Sequence, residues 1–235
     1  MADKQTWQAG KDDSDETASL VGKRLSDVAY SAILEGLFEK RVPAGAFVSQ
    51  NDLVKLLGIP VQPLRDALRV LEAEGVLTIH PRSGIQFLKP DLELARSTYQ
   101  FRTIIERSAA RAFAEAGDAN EIATLIADHK ALIEHMETHG FSADMPDRVD
   151  ALDHRLHASM IATLRNPLVE TTSRRLKNYV TLIRLERLIT QPVALRTLRE
   201  HLEILEACAD RDADRAEAAL NQHFQAALQR ILGMF

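Results

Sequence analysis

Apolar residues recur at helical spacing along most of the chain, and one short stretch interrupts this pattern. The spacing predicts helices over 24–40, 49–58 and 60–75, the last two bounded by serine, proline and glycine signals. Two β-rich runs follow at 76–80 and 85–88, separated by a Pro-Arg-Ser-Gly turn, which predicts a hairpin. This order predicts a winged helix-turn-helix, in which the third helix enters the major groove and the hairpin contacts the backbone or the minor groove.

Beyond residue 90 only the helical period is found. Six helices are predicted, with breaks at glycines, prolines and one aspartate, near 92–117, 119–139, 148–165, 168–190, 193–210 and 212–233. This block of roughly 145 residues is long enough to bury its own core. The predicted fold class is therefore mainly α, with an N-terminal winged helix-turn-helix followed by a C-terminal all-α helical bundle.

The charge is distributed unevenly along the chain. Residues 1–22 are polar and acidic without periodicity, which predicts a disordered arm. Residues 23–90 carry nine basic and seven acidic residues, although the whole chain has a net charge of −5. This middle block alone is basic, as expected if one module contacts phosphate.

Other features exclude several protein classes. The single cysteine, Cys208, excludes an intrachain disulfide framework and a multi-cysteine zinc site. The amino terminus has no apolar core typical of a signal peptide, and no window approaches the ~18 apolar residues of a membrane span. We therefore expect a soluble cytoplasmic protein.

Three helices of the bundle turn metal-binding residue types toward its apolar side. Asp153 and His157 are four residues apart and share a face with apolar neighbours, and His201 and His223 lie on the apolar stripes of two later helices. Three imidazoles and one carboxylate suit a first-row divalent metal. The alternative is that each is an ordinary core residue with a hydrogen-bond partner. Three further histidines are expected at one exposed helix end: His129, His135 and His139.

Arg102 is a second candidate in the bundle. It shares a helix face with Tyr99, Glu106 and Phe113, so its guanidinium is expected to point inward. An internal pair between Arg102 and Glu106, at i,i+4, is the structural alternative.

The segment 45–75 resembles the GntR-type bacterial regulators, whose signature is a PG loop, an "eLA…lgVS" helix and "PVReALrrLeaeGlv". The residues in register are Leu53, Leu57, Gly58, Pro63, Arg65, Ala67, Leu68, Leu71, Glu72, Glu74 and Gly75. Pro60, Val61 and Gln62 stand where the family usually has Ser-Arg-Thr, and Asn51 stands where an arginine is common. The resemblance implies a DNA-binding module over 23–90.

Within this module, the resemblance makes Arg65 the best candidate for a base or phosphate contact. Gln62 has the amide for bidentate pairing with adenine, and Val61 is suited to a thymine methyl. The remaining predicted DNA-binding residues are Asn51, Arg69, Arg82 and Gly84. The alternatives are a solvated helix face and a hairpin that serves packing alone.

The bundle is similar to the FCD effector domain of the FadR-type subfamily, with the VanR-like branch as the candidate placement within it. Segments 95–106, 153–167, 200–205 and 212–223 match its "yevR..lE", "D..FH…gNp" and "eH..il.ai…gD…A…H" motifs, with Leu156 for Phe. The resemblance implies an effector-binding and dimerisation domain over 91–235. It also implies a divalent metal, zinc first and nickel, manganese or iron as alternatives, whose ligands are Asp153, His157, His201 and His223.

The resemblance further implies that Arg102, with Tyr99 beside it, meets the carboxylate of a small organic-acid effector. The expected protein is a transcriptional regulator, a repressor of a catabolic operon, which binds a palindromic operator as a homodimer. A direct metal sensor, or a purely structural metal, is the first alternative. A metalloenzyme is disfavoured because no Glu or Ser stands in a recognisable catalytic spacing.

Overall fold

The computed structural model describes residues 13–185 and 187–233, with side chains from residue 25 onward. The chain divides between Lys89 and Pro90 into two compact units. No helix in the described ranges is both long enough and apolar enough to cross a membrane.

The amino-terminal unit is a winged helix-turn-helix, as predicted. Its elements are α1 (Asp13–Phe38), β1 (Phe47–Val48), α2 (Gln50–Leu57), α3 (Val61–Ala73), β2 (Leu77–His80) and β3 (Gly84–Phe87). The three strands form an antiparallel sheet in the order β1-β3-β2. The hairpin was predicted, whereas β1 was not, because its two residues become a strand only by pairing with Gln86 and Ile85.

Local signals fix the helix-turn-helix. The Ser49 hydroxyl accepts from the backbone N–H of Asp52, and the Asp52 carboxylate accepts from the backbone N–H of Ser49, which caps α2. Gly58 ends α2 with a φ of +66°, a left-handed conformation that favours glycine. Leu64, Leu68 and Leu71 form the buried face of α3, so its opposite face is available to solvent.

The predicted disordered arm needs correction. Residues 1–12 lie outside the described part of the chain, but α1 begins at Asp13 rather than at residue 24. Residues 13–16 lack an apolar period, which favours the prediction of disorder, but their acidic types are also those favoured in the first turn of a helix. Residues 13–22 are therefore helical.

The carboxy-terminal unit contains six helices in the described residues, as predicted. They are α4 (Leu92–Ala116), α5 (Ala119–His139), α6 (Met145–Thr163), α7 (Pro167–Arg184), α8 (Gln191–Ala209) and α9 (Ala213–Leu232). Pro146 and Pro192, interpreted as breaks, lie in the first turns of α6 and α8, where a missing N–H costs nothing. Helix α7 ends six residues earlier than predicted, and neither glycine nor proline marks that end in the sequence.

Helix α4 is central in this unit. It packs against α6, α7, α8 and α9, and α8 also contacts α5, α6 and α9. The shared core is apolar and includes Phe113, Leu205, Leu220 and Phe224. Against this core, the buried polar residues of α4, α5, α6, α8 and α9 require partners of their own.

Candidate metal centre and nucleic-acid surface

Four predicted metal ligands meet between three helices. Asp153 and His157 come from α6, His201 from α8 and His223 from α9, and one ligand atom of each lies within 4.8 Å of the others. His201 is fully buried and the other three are at most 6% exposed. The convergence that the sequence only suggested is therefore present in the fold.

The three histidines direct the same atom into this cluster. Nε2 of His157, His201 and His223 is buried, and none has a hydrogen-bond partner among the described residues. The Asp153 Oδ1 atom lies 3.5 Å from Nε2 of His201 and 4.0 Å from Nε2 of His157. Buried polar atoms are rarely left unpaired, so three together mark a place for a ligand.

The opposite ring nitrogen of each histidine is held by a partner. His157 Nδ1 lies 2.5 Å from a Glu106 oxygen, and His223 Nδ1 lies 2.9 Å from a Glu200 oxygen. A carboxylate accepts hydrogen bonds, so both rings carry a proton on Nδ1. Their Nε2 lone pairs therefore point into the cluster, as metal coordination requires.

His201 is oriented by a second histidine. His129 Nδ1 lies 2.7 Å from the carbonyl oxygen of Leu125 and must donate to it. The Nε2 atom of His129 is then an acceptor, and it lies 3.3 Å from Nδ1 of His201. The sequence interpretation of His129 as part of an exposed helix end is wrong: it is fully buried, on the stripe of Leu125, Leu132 and Met136.

The electrostatics favour the ligating forms of these groups. Burial lowers the pKa of both His201 and His223, which keeps both rings neutral at neutral pH. Burial alone would raise the pKa of Asp153, but Arg184, His157 and His201 outweigh it and hold the pKa well below its usual range. Three imidazoles and one carboxylate form a donor set that fits a divalent metal such as zinc.

Arg102 lies beside this cluster at the wall of a cavity of about 450 Å³. Its Nε donates to Glu106 Oε1 at 2.7 Å, and its guanidinium carbon lies 4.6 Å from the Phe224 ring centroid. Its Nη1 is buried and has no hydrogen-bond partner in the described part of the chain. The Arg102–Glu106 pair thus exists and still leaves one nitrogen of Arg102, Nη1, without a partner in the described residues.

The same cavity is lined by a polar side of α7. Ser173 Oγ is buried there and, within the described ranges, also has no partner. Arg184 donates to both oxygens of Asp153, at 3.2 and 3.3 Å. Tyr99, predicted to bind effector with Arg102, does not line this cavity; it lines a neighbouring cavity and is contacted by Arg184 through its hydroxyl.

Sequence reasoning missed Arg184, Glu200 and Ser173, and used Glu106 only as a partner of Arg102. Glu200 precedes His201 in the chain, yet its carboxylate contacts His223 on α9. Arg184 ends α7 and contacts α6. These contacts join different helices, so no spacing within one helix signals them.

The amino-terminal unit presents a second candidate surface. Arg65 and Arg69 of α3 and Arg82 of the β2–β3 turn line one groove of about 400 Å³. The described residues of its lining include no carboxylate. Arg69 also lies 3.8 Å from an Asp66 oxygen beside the groove. A cationic groove between the third helix and the wing is suited to contact with phosphates.

The other predicted DNA-binding residues differ in their placement. Val61, Gln62 and Asn51 are exposed but do not line the groove, and Gln62 donates to Asp66 at 3.3 Å. Gly84 lines the groove and begins β3 with a φ of +147°. A Cβ at Gly84 would lie 2.8 Å from the Phe47 ring and from the Val48 carbonyl oxygen, so glycine is needed here for packing.

Two family models match the chain. The model described as bacterial regulatory proteins, gntR family, matches residues 25–87. The model described as FCD domain matches residues 97–226, more than half of the chain. The two matches fall in the two compact units.

Individual proteins agree with these matches. The transcriptional repressor RspR of Escherichia coli strain K12 is 25% identical over 198 residues, which cover 83% of this chain and 84% of RspR. The structure of E. coli McbR/YncC has a TM-score of 0.73 at 16% identity and covers 89% of this chain and 98% of that chain. The Zn²⁺-bound FCD domain of the regulator TM0439 has a TM-score of 0.50 at 19% identity and covers 61% of this chain and 94% of that chain. Both structures show likeness of fold alone.

Proposed function

Because the chain belongs to the GntR family of bacterial regulatory proteins and carries an FCD domain, it is a DNA-binding transcriptional regulator, and we propose that a small carboxylate controls its DNA binding. The carboxylate binds Arg102 in the cavity of the helical unit. The regulator acts as a repressor and binds a palindromic operator as a homodimer. The likeness to RspR, which is named a repressor, supports the direction of control.

The buried Nη1 of Arg102 is the observation that carries this proposal. A guanidinium donor left unpaired in the interior is costly, and a carboxylate oxygen removes that cost with a charge-assisted hydrogen bond. The adjoining cavity of about 450 Å³ accommodates an acid of a few carbon atoms, with Ser173 Oγ available to a further polar group. These features favour an organic-acid effector.

We also propose that Asp153, His157, His201 and His223 hold a divalent metal, zinc first. The three unpaired Nε2 atoms support this assignment, and the Zn²⁺-bound state of the TM0439 domain, which has the same fold, agrees with it. A metal bound here supplies positive charge at the cavity wall and ties α6, α8 and α9 together. The donor set also accepts nickel, manganese and iron.

For the amino-terminal unit, we propose that Arg65, Arg69 and Arg82 contact phosphates or base edges from their shared groove. Val61 and Gln62 lie at the exposed start of α3 and reach bases, and Asn51 of α2 contacts the adjoining backbone. Gly84 acts by keeping the wing in position against Phe47.

The test is a DNA retention assay on the DNA upstream of the protein's own gene. Metal-loaded protein is titrated with that DNA alone, with a panel of small mono- and dicarboxylic acids, and with a chelator. We expect at least one acid to change the amount of DNA that the metal-loaded protein retains. Retention that responds to chelator and to no acid would favour direct metal sensing instead.

A further inference from the structure

Glu106 of α4 contacts both halves of the candidate site. Its Oε1 accepts from Nε of Arg102 at 2.7 Å, and its Oε2 accepts from Nδ1 of His157 at 2.5 Å and from Nη2 of Arg102 at 3.5 Å. Glu106 is 4% exposed, and burial without these partners would raise its pKa; Arg102 and His157 instead lower the pKa to about 2. A single buried carboxylate thus joins the arginine at the cavity to a histidine of the metal cluster.

A second arginine–glutamate–histidine chain provides an internal comparison. Glu200 accepts from Nδ1 of His223 at 2.9 Å and from both terminal nitrogens of Arg230, at 2.6 and 2.8 Å. Both chains end at a candidate metal ligand. Of these two arginines, Arg102 alone retains a buried nitrogen without a partner in the described structure.

We propose that Glu106 couples effector binding at Arg102 to metal binding at His157, so that each ligand raises the affinity of the protein for the other. This inference rests on the proposed function. Glu200, whose arginine has no buried nitrogen without a partner among the described residues, positions His223 without such coupling.

The direction of the coupling follows from the hydrogen bonds of Glu106. With a cation held by the cluster, the ring of His157 would be polarised, and its Nδ1–H would donate a stronger hydrogen bond to Oε2 of Glu106. Electron density on the carboxylate is then drawn toward His157, and Arg102 is neutralised less. Arg102 consequently offers more of its charge to a carboxylate ligand, and linkage makes this effect reciprocal.

The experiment measures the Zn²⁺ dissociation constant by competition with a chromophoric chelator, with and without excess acetate, the probe for the carboxylate. Acetate binding is measured separately by calorimetry on Zn²⁺-loaded protein. The full-length wild type is compared with Glu106→Gln and with the matched control Glu200→Gln. An amide has one acceptor oxygen, so the side chain of Glu106→Gln cannot offer a separate acceptor oxygen to Arg102 and to His157 as the carboxylate does.

We expect acetate to lower the Zn²⁺ dissociation constant of the wild type and of Glu200→Gln at least about fivefold. Both variants lose about tenfold in Zn²⁺ affinity, because each loses the charge on a histidine partner. Only in Glu106→Gln should acetate leave the Zn²⁺ dissociation constant nearly unchanged. The small remaining change would come from the direct electrostatic attraction between acetate and Zn²⁺. If acetate binds and changes the Zn²⁺ dissociation constant equally in all three proteins, the coupling role of Glu106 is overturned while the effector site stands. If acetate does not bind the wild type, the proposed effector site is overturned.

A measurement on the wild type covers the case in which Glu106→Gln does not fold. The Nε–H resonance of Arg102, assigned by comparison with Arg102→Lys, is followed while Zn²⁺ alone is added to ¹⁵N-labelled protein. Displacement of this resonance as Zn²⁺ binds is the expected result. A resonance that does not move while the histidine resonances do would overturn the proposal.

Discussion

Nε2 of His129 lies 3.3 Å from Nδ1 of His201, and this contact between α5 and α8 determines which nitrogen of His201 faces the cluster. His129 is held in turn by its hydrogen bond to the Leu125 carbonyl oxygen. His129, which is not itself a candidate ligand, therefore sets the tautomer of His201 with the proton on Nδ1.

His129→Leu should weaken Zn²⁺ binding about tenfold, because the Nδ1–H of His201 loses its acceptor. His129→Gln, which keeps an acceptor, should recover part of that loss. Chelator competition measures both, with His139→Ala on the exposed end of α5 as control. Unchanged Zn²⁺ affinity in His129→Leu would show that His129 only fills space.

Zinc should stabilise one unit of the chain and not the other. A ligand that binds only the folded state at one hundred times its dissociation constant adds about 2.7 kcal/mol to the free energy of unfolding. Amide hydrogen exchange should therefore slow in α6, α8 and α9 on adding Zn²⁺, while β2 and β3 are unaffected. An Asp153→Asn variant should reduce the protection, and undiminished protection in that variant would place the metal elsewhere.

If the arginines of the groove contact DNA phosphates, they should contribute to the salt dependence of operator binding. Arg65→Ala and Arg82→Ala should each weaken operator binding, and a lost phosphate contact should reduce the slope of log affinity against log salt by about 0.9. Arg41→Ala, which lies outside the groove, is the matched control. Fluorescence anisotropy at several salt concentrations gives these slopes, and equal slopes in all four proteins would contradict this interface.

Gly84→Ala should destabilise the wing by about 1–3 kcal/mol, because the new Cβ would meet the Phe47 ring and the Val48 carbonyl oxygen at 2.8 Å. Gly58→Ala is the matched control. Gly58 also has a positive φ, +66°, but a Cβ there has no neighbour within 4 Å. Gly58→Ala should therefore lower the stability by about 1 kcal/mol, from the backbone conformation alone. Hydrogen exchange of the β3 amides measures the cost at Gly84, and exchange of the α2 amides measures the cost at Gly58. Equal costs would mean that backbone conformation alone explains Gly84.

The sequence was informative wherever one helix carries the signal. The stripes of α6, α8 and α9 identified the four residues of the cluster, and Arg102 was predicted to point inward, as its 5% exposure confirms. Ser49 and Gly58 likewise marked the ends of α2 within one residue. In each case, the periodicity or the cap is a local property of the chain.

What the sequence did not reveal depends on contacts between elements. Strand β1 exists only through its pairing with β3, and Glu200 and Arg184 serve residues on other helices. His129 is an instructive exception, since its place on the stripe of Leu125 and Leu132 was a usable signal. Grouping it with His135 and His139 by proximity in sequence concealed that periodicity.

The most direct test of the proposed control by a carboxylate is the operator affinity of the metal-loaded wild type and of Arg102→Gln, each with and without the acid that the panel selects. Without acid, the two proteins should bind operator equally, because Arg102 lies in the helical unit and outside the DNA-binding groove. With acid, the affinity of the wild type should change and that of Arg102→Gln should not. An equal response of the two proteins to the acid would contradict the proposal.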